Sequence, residues 1–164
     1  MTAAVIALGS NLGDRRATLV SALDALDAHP HITLTRVSSA YESAAVKPAG
    51  VDPTAPEYLN AVALVESELS AAQLLSALMQ IERDHGRERA ERWGDRTLDL
   101  DIIDFGGEVI ETDELELPHP RAIQRAFVMA PWAEVDPQAQ ASGLSVLELA
   151  SRLSDDIRPV GALR

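Results

Sequence analysis

The sequence predicts an α+β fold in which strand-helix-strand occurs twice, and three observations carry that expectation. Two stretches hold apolar residues at helical spacing: Leu19, Leu23 and Leu26 in one, Leu74, Leu78 and Ile81 in the other. Each is flanked by short segments of strand character, namely Val5 to Leu8, Ile32 to Tyr41 and Tyr58 to Val65. The third is Leu98-Asp99-Leu100-Asp101-Ile102, which alternates apolar and acidic residues with a period of two, as a strand with one buried and one charged face does. A β-α-β-β-α-β succession is that of a ferredoxin-like open sheet with helices on one face, here with C-terminal additions.

The elements follow in order. Val5, Ile6 and Leu8 form a short strand that stops at Gly9-Ser10-Asn11-Leu12-Gly13, a turn rich in glycine. Asp14 is placed to cap a helix ending near His29-Pro30. Residues 43–57 carry Pro48, Gly50, Pro53 and Pro56 and read as a long loop, a lid candidate together with residues 84–95. Ser70-Ala71-Ala72-Gln73 has the form of a capping box, and Asp84-His85-Gly86 ends the helix it opens. Gly106-Gly107 reads as a hairpin turn into Val109-Ile110, and short helices are expected over Pro120 to Val135 and Leu144 to Leu153.

At 164 residues and 46% hydrophobic content the chain can bury one sizeable core, so residues 1–164 are read as a single domain. A net charge of -12 argues against general binding to nucleic acid or to an anionic membrane. Between Arg83 and Arg96, however, five arginines outnumber four acidic side chains, a local patch suited to a small anionic ligand such as a nucleotide. The absence of cysteine excludes disulfides and thiolate chemistry. No basic leader or long apolar run is present, so a cytoplasmic protein is expected.

Asp99 and Asp101, about 6.6 Å apart on one strand face, repel by roughly 2.5 kcal/mol at an effective dielectric near 20, and a divalent ion between them reverses the sign. Because Asp is depleted in strands, the pair reads as a Mg²⁺ site, with carboxylates and phosphate oxygens as ligands. Arg87 and Arg96 flank that strand, where both can reach a phosphate chain. Trp93 either packs on the core or closes over a planar base. Glu82 is read as a solvated helix-terminal carboxylate or as a support for the site. Tyr58 and Asn60 share a strand face and, with Phe127, could sandwich and read a heterocycle; core packing is the plainer account of both aromatics. His119 is either a turn histidine or a site residue. The only lysine is Lys47, so Gly9 to Gly13 is no P-loop.

Taken together, Leu8-Gly9-Ser10-Asn11-Leu12-Gly13, Tyr58-Leu59-Asn60-Ala61, Ile81-Glu82 with Gly86-Arg87, Arg92-Trp93-Gly94 with Arg96 to Ile102, and Leu117-Pro118-His119-Pro120-Arg121 resemble the 6-hydroxymethyl-7,8-dihydropterin pyrophosphokinase family of folate biosynthesis. The resemblance implies a monomer that moves pyrophosphate from ATP to a pterin alcohol, with two Mg²⁺ ions on Asp99 and Asp101. It implies further that Arg87 and Arg96 act on the phosphates, that Glu82, Arg89, Trp93, His119 and Arg125 face ATP, and that Val46, Tyr58, Asn60, Trp93 and Phe127 hold the pterin. Two departures stand out. The family's Thr-x-Pro-x-Gly-like turn is replaced by Ser43 to Pro48, and Glu114 and Glu116 stand where relatives often carry basic or hydroxyl side chains. The alternatives are a Mg²⁺-dependent nucleotidyltransferase, and a non-catalytic ferredoxin-like binding module.

Overall fold

The computed structural model describes residues 1–43, 46–47, 50–51, 57–86, 97–153 and 157–164. In chain order they form β1 (Thr2–Ser10), α1 (Arg15–Ala28), β2 (Ile32–Val37), β3 (Ser39–Ser43), β4 (Val46–Lys47), β5 (Gly50–Val51), β6 (Tyr58–Ser67), α2 (Ala71–Asp84) and β7 (Asp99–Phe105). There follow β8 (Ile110–Glu111), β9 (Glu116–Leu117), a 3-10 turn (Ala122–Gln124), α3 (Ala126–Val135), β10 (Gln140–Ala141), β11 (Leu144–Ser145), α4 (Val146–Arg152) and β12 (Ile157–Ala162).

The main sheet is mixed with helices in an α+β arrangement, and its strands run antiparallel in the order β12-β3-β6-β1-β7, with β2 also paired to β6. The two amphipathic helices form as their stripes and caps predict. Asp14 accepts a hydrogen bond from the Ala17 amide, and Ser70 and Gln73 make the reciprocal capping box. Their leucines pack with Ile6, Leu8, Ala61, Leu100 and Ile102 on one face of the sheet. The opposite face is not open. Val5, Val62 and Ile103 pack there against Val128, Met129 and Trp132 of α3 and Val146 of α4. Helices therefore lie on both faces, because α3 is apolar nearly all round and must be buried on more than one side.

Several boundaries differ from the sequence reading. β1 runs through Gly9 and Ser10, since Gly9 pairs with both Asn60 and Asp99 and so continues the ladder on both sides. The strand from Ile32 breaks at Ser38, whose hydroxyl accepts from the Val62 amide while its own amide donates to the Val62 carbonyl. Residues 43–57 are not wholly loop: Ser43 ends β3 and β4 pairs with β5. Gly106 and Gly107, both at positive φ, do make a turn, yet β8 pairs with β9 and not with β7. The stretch from Pro120 holds a 3-10 turn before α3 begins at Ala126. Leu144 and Ser145 belong to a hairpin through Ser142 and Gly143, again both at positive φ, and Ser145 then caps α4. β12, over a segment with Pro159 and Gly161 and no strand pattern, pairs with β3 at the sheet edge, where Pro159 is tolerated.

Candidate functional site

The register of β6, β1 and β7 sets Asn60, Gly9 and Asp99 in one row across the sheet, and Val62, Ala7 and Asp101 two residues on, in the next row of the same face. Strand spacing puts Asn60 and Asp99 roughly 10 Å apart, with Gly9 between them. A Cβ on Gly9 would stand 3.4 Å from Asn60 Oδ1 and 3.4 Å from Tyr58 Cδ1, so the missing side chain leaves a trough over the sheet. Asn60 is only 4% exposed, and its Nδ2 donates to Ser43 Oγ at 2.7 Å and to the Tyr41 carbonyl at 3.4 Å. That pairing holds the amide in one orientation. Gly9, in this row, and Ser43, in the row of Tyr58, are the residues that the sequence reading assigned to turn and loop.

At the other end of the row, Leu100 and Ile102 are buried in the core while Asp99 and Asp101 project from the opposite face, as their alternation predicts. β7 closes the sheet edge, and the Leu100 amide between the two aspartates donates to Glu82 Oε2 at 2.8 Å. Glu82 is 4% exposed, so it is no solvated helix-terminal residue. It touches the backbone of the aspartate strand from beneath.

Two basic side chains, His119 and Arg125, approach the aspartates. The His119 amide donates to the Ile103 carbonyl at 3.0 Å, which stitches the segment after β9 to β7; the Leu117–Pro118 peptide just before it is cis. Burial, and then the Arg125 and Arg121 guanidinium groups, push the His119 pKa down, with Asp99 opposing. Arg125 is itself half-buried between the 3-10 turn and α3; burial lowers its pKa and the charges of Asp101 and Asp99 oppose that shift. Its guanidinium carbon stands 5.5 Å from the centre of the Phe127 ring, a cation–π distance. Phe127 is partly buried and packs against the second core.

A groove of about 1160 Å³ opens along the free edge of β7, walled by Leu69, Leu75, Met79, Ile110 and Leu115 and ending on Glu82, Asp99 and Asp101. A smaller recess of about 320 Å³ adjoins it, lined by Asp101, Ile102, Glu114, Glu116 and His119. The aspartates thus stand between an apolar groove outside the sheet and the trough over Gly9, beside Tyr58 and Asn60. Among the described residues no group of three or more His, Asp or Glu side chains converges. Two carboxylates suit Mg²⁺, which is commonly held by one or two carboxylates with substrate phosphates and water supplying the rest. Val46 lies in β4, paired with Val51. Arg87, Arg89, Trp93 and Arg96 lie outside the described residues, as do parts of both lid candidates.

The model of the family described as 7,8-dihydro-6-hydroxymethylpterin-pyrophosphokinase (HPPK) matches residues 5–137. The 2-amino-4-hydroxy-6-hydroxymethyldihydropteridine pyrophosphokinase of Bacillus subtilis is 44% identical over 142 residues, covering 87% of this chain and 83% of its own. The protein of the same name from Haemophilus influenzae is 44% identical over 135 residues, 82% of each chain. The fold is similar to that of wild-type Plasmodium falciparum HPPK-DHPS in its crystal structure, with a TM-score of 0.68 at 12% identity; the match covers 92% of this chain and 44% of that one.

Proposed function

This chain belongs to the 7,8-dihydro-6-hydroxymethylpterin-pyrophosphokinase family, and from that premise we infer how its own residues serve the reaction. The chain transfers pyrophosphate from ATP to 6-hydroxymethyl-7,8-dihydropterin, giving AMP and the pterin diphosphate in folate biosynthesis. The observation that carries the assignment to residues is the position of Asp99 and Asp101 between two differently shaped spaces. The groove outside β7 suits a nucleoside with its phosphates toward the aspartates. The trough beside Tyr58 and Asn60 suits a flat heterocycle, whose donor and acceptor edge the fixed Asn60 amide can read and on which Phe127 would close.

Asp99 and Asp101 would hold Mg²⁺, two ions on this reading. When bound, Mg²⁺ neutralises phosphate charge and orients the transferred group. Arg125 supplies a further positive charge from the α3 side, and His119, kept neutral by burial and by neighbouring arginines, can donate a hydrogen bond without adding charge. Arg87 and Arg96 would meet the phosphates, and Glu82, Arg89 and Trp93 belong to the ATP side, with Val46 and Trp93 on the pterin side. The pterin hydroxyl would then attack the β-phosphorus in line, the geometry that phosphoryl transfer requires. The sheet order β3-β6-β1-β7, counted on the strands of the two strand-helix-strand units, supports a ferredoxin-like topology. The 164 residues act as one pyrophosphokinase domain, as a cytoplasmic monomer. The net charge of -12 supports small substrates over nucleic acid or anionic lipid, and no helix among the described residues is long and apolar enough to cross a membrane.

A product assay with ATP, Mg²⁺ and 6-hydroxymethyl-7,8-dihydropterin tests the reading. AMP and pterin diphosphate in equal amounts are expected. Free pyrophosphate with a nucleotidylated acceptor would overturn it in favour of a nucleotidyltransferase.

A further inference from the structure

Four charged side chains meet beneath the trough, on the α1 face of the sheet. Arg158 of β12 donates from Nη2 to Glu42 Oε2 and, at 2.8 Å, to Glu57 Oε2. Arg15 in the first turn of α1 donates to Glu42 Oε1 at 2.9 Å and to the Glu57 carbonyl at 2.9 Å. Its neighbour Arg16 grips the backbone of β12 itself, reaching the Val160 and Ala162 carbonyls at 2.7 and 2.9 Å. Glu42 precedes the last residue of β3 and Glu57 precedes the first of β6, so the cluster closes the open end of that strand pair.

The register shows what that end carries. Ser43 pairs with Tyr58, and Tyr41 with Asn60. Since side chains alternate along a strand, Glu42 faces α1 while Ser43, Tyr58 and Asn60 face the trough. Two glutamates at diagonal positions across an antiparallel pair repel and would splay the strand ends. Among the described residues Arg158 is the one side chain whose guanidinium bridges both carboxylates, and its planar fork suits that task as a lysine ammonium does not. Arg158 lies beyond residue 137, where the family match ends.

We propose that Arg158, with Arg15, is a positioning residue for the pterin: by tying Glu42 to Glu57 it holds β3 against β6 and so keeps Tyr58 and the Ser43–Asn60 pair at binding geometry. The pull of the two arginines on Glu42 agrees with this, for it lowers that carboxyl's pKa, while Glu42 and Glu57 raise that of Arg158. The substrate named here rests on the pyrophosphokinase reading; the clamp itself does not.

The test uses the full chain with Arg158→Ala and Arg158→Lys. Steady-state kinetics are expected to show the pterin KM raised about fivefold in the alanine variant and about twofold in the lysine variant, with kcat and the ATP KM within about twofold of the parent. Amide exchange at Ser43, Tyr58 and Asn60, followed by NMR without substrates, should be faster in Arg158→Ala. An unchanged pterin KM, or an equal rise in both KM values, would overturn the proposal, and so would unchanged exchange at these three amides. Should the parent show no pyrophosphoryl transfer while exchange is accelerated in the variant, the clamp stands and the pyrophosphokinase reading fails.

Discussion

Glu82 Oε2 lies 2.8 Å from the Leu100 nitrogen, so a buried carboxylate at the end of α2 accepts the one backbone N–H between Asp99 and Asp101. Among the described residues β7 is an edge strand, with no strand beyond it to pair that amide. Replacing Glu82 with alanine leaves a buried donor without its acceptor, a loss of about 1–3 kcal/mol. In a domain of this size that lowers Tm by roughly 2–4 °C for each kcal/mol. Glu82→Gln keeps an acceptor oxygen and should lose less. The expected order of Tm and of kcat/KM is parent, then Gln, then Ala. Equal losses in the two variants would show that the carboxylate does not act through the Leu100 amide.

Gly9 separates Asn60 from Asp99, and its backbone is not among those at positive φ. Alanine is therefore compatible with the strand, its Cβ meeting neighbours at 3.4 Å, an ordinary contact. Gly9→Ala should fold with a Tm equal to or above that of the parent, because glycine in a strand interior costs roughly 0.5–1 kcal/mol relative to alanine. Binding of the pterin, followed by its fluorescence, should weaken by roughly tenfold, a part of the ~10²-fold that a 1 Å misplacement can cost. ATP binding should hardly change. A Gly9→Ala variant with full pterin affinity would mean that the trough is not the acceptor site.

Asp99 and Asp101 carry side chains that the core does not need. Asp99→Asn and Asp101→Asn should each retain the parent Tm within about 2 °C, the shift expected for a surface change within about 0.5 kcal/mol. Turnover should fall by more than about 100-fold, beyond the 10–100-fold loss typical of partners that only orient a metal ligand. Calorimetric titration with Mg²⁺ and a non-hydrolysable ATP analogue checks the cause. Undiminished Mg²⁺-dependent binding in both variants would move the metal elsewhere.

How much of this was legible in the sequence depends on the range over which each feature is encoded. α1, α2 and β7 announce themselves through local periods and caps, and the Asp99/Asp101 face follows from alternation alone. The second core layer does not, for α3 is apolar nearly all round, holds Pro131, and so shows no stripe from which to read a face or a start. β12 carries Pro159 and Gly161, which mask a strand whose edge position exempts it from full pairing. Glu82 looked solvent-facing because its partner is a backbone amide 18 residues away, and no side-chain pattern encodes that. The role of Gly9 as a spacer emerges only when two neighbouring strands are set beside it.

Glu42 links the stability of the acceptor side to pH. Hydrogen bonds from Arg15 and then Arg158 hold its carboxyl below the usual value of 4.5. The folded state thus binds the proton less readily than the unfolded chain, and the contribution is fully present above pH 4.5 and lost as pH falls through the lower folded value. The pair with Arg158 is partly exposed, so the effect is modest and screened by salt. Thermal unfolding of the parent and of Glu42→Gln between pH 7 and pH 3 should show the parent more stable at pH 7, with the gap closing as the pH drops below 4.5. In 0.5 M salt, where the screening length falls to about 4 Å, the gap at pH 7 should narrow. A gap that stays constant across the whole range would mean that Glu42 contributes by packing, and not through its charge.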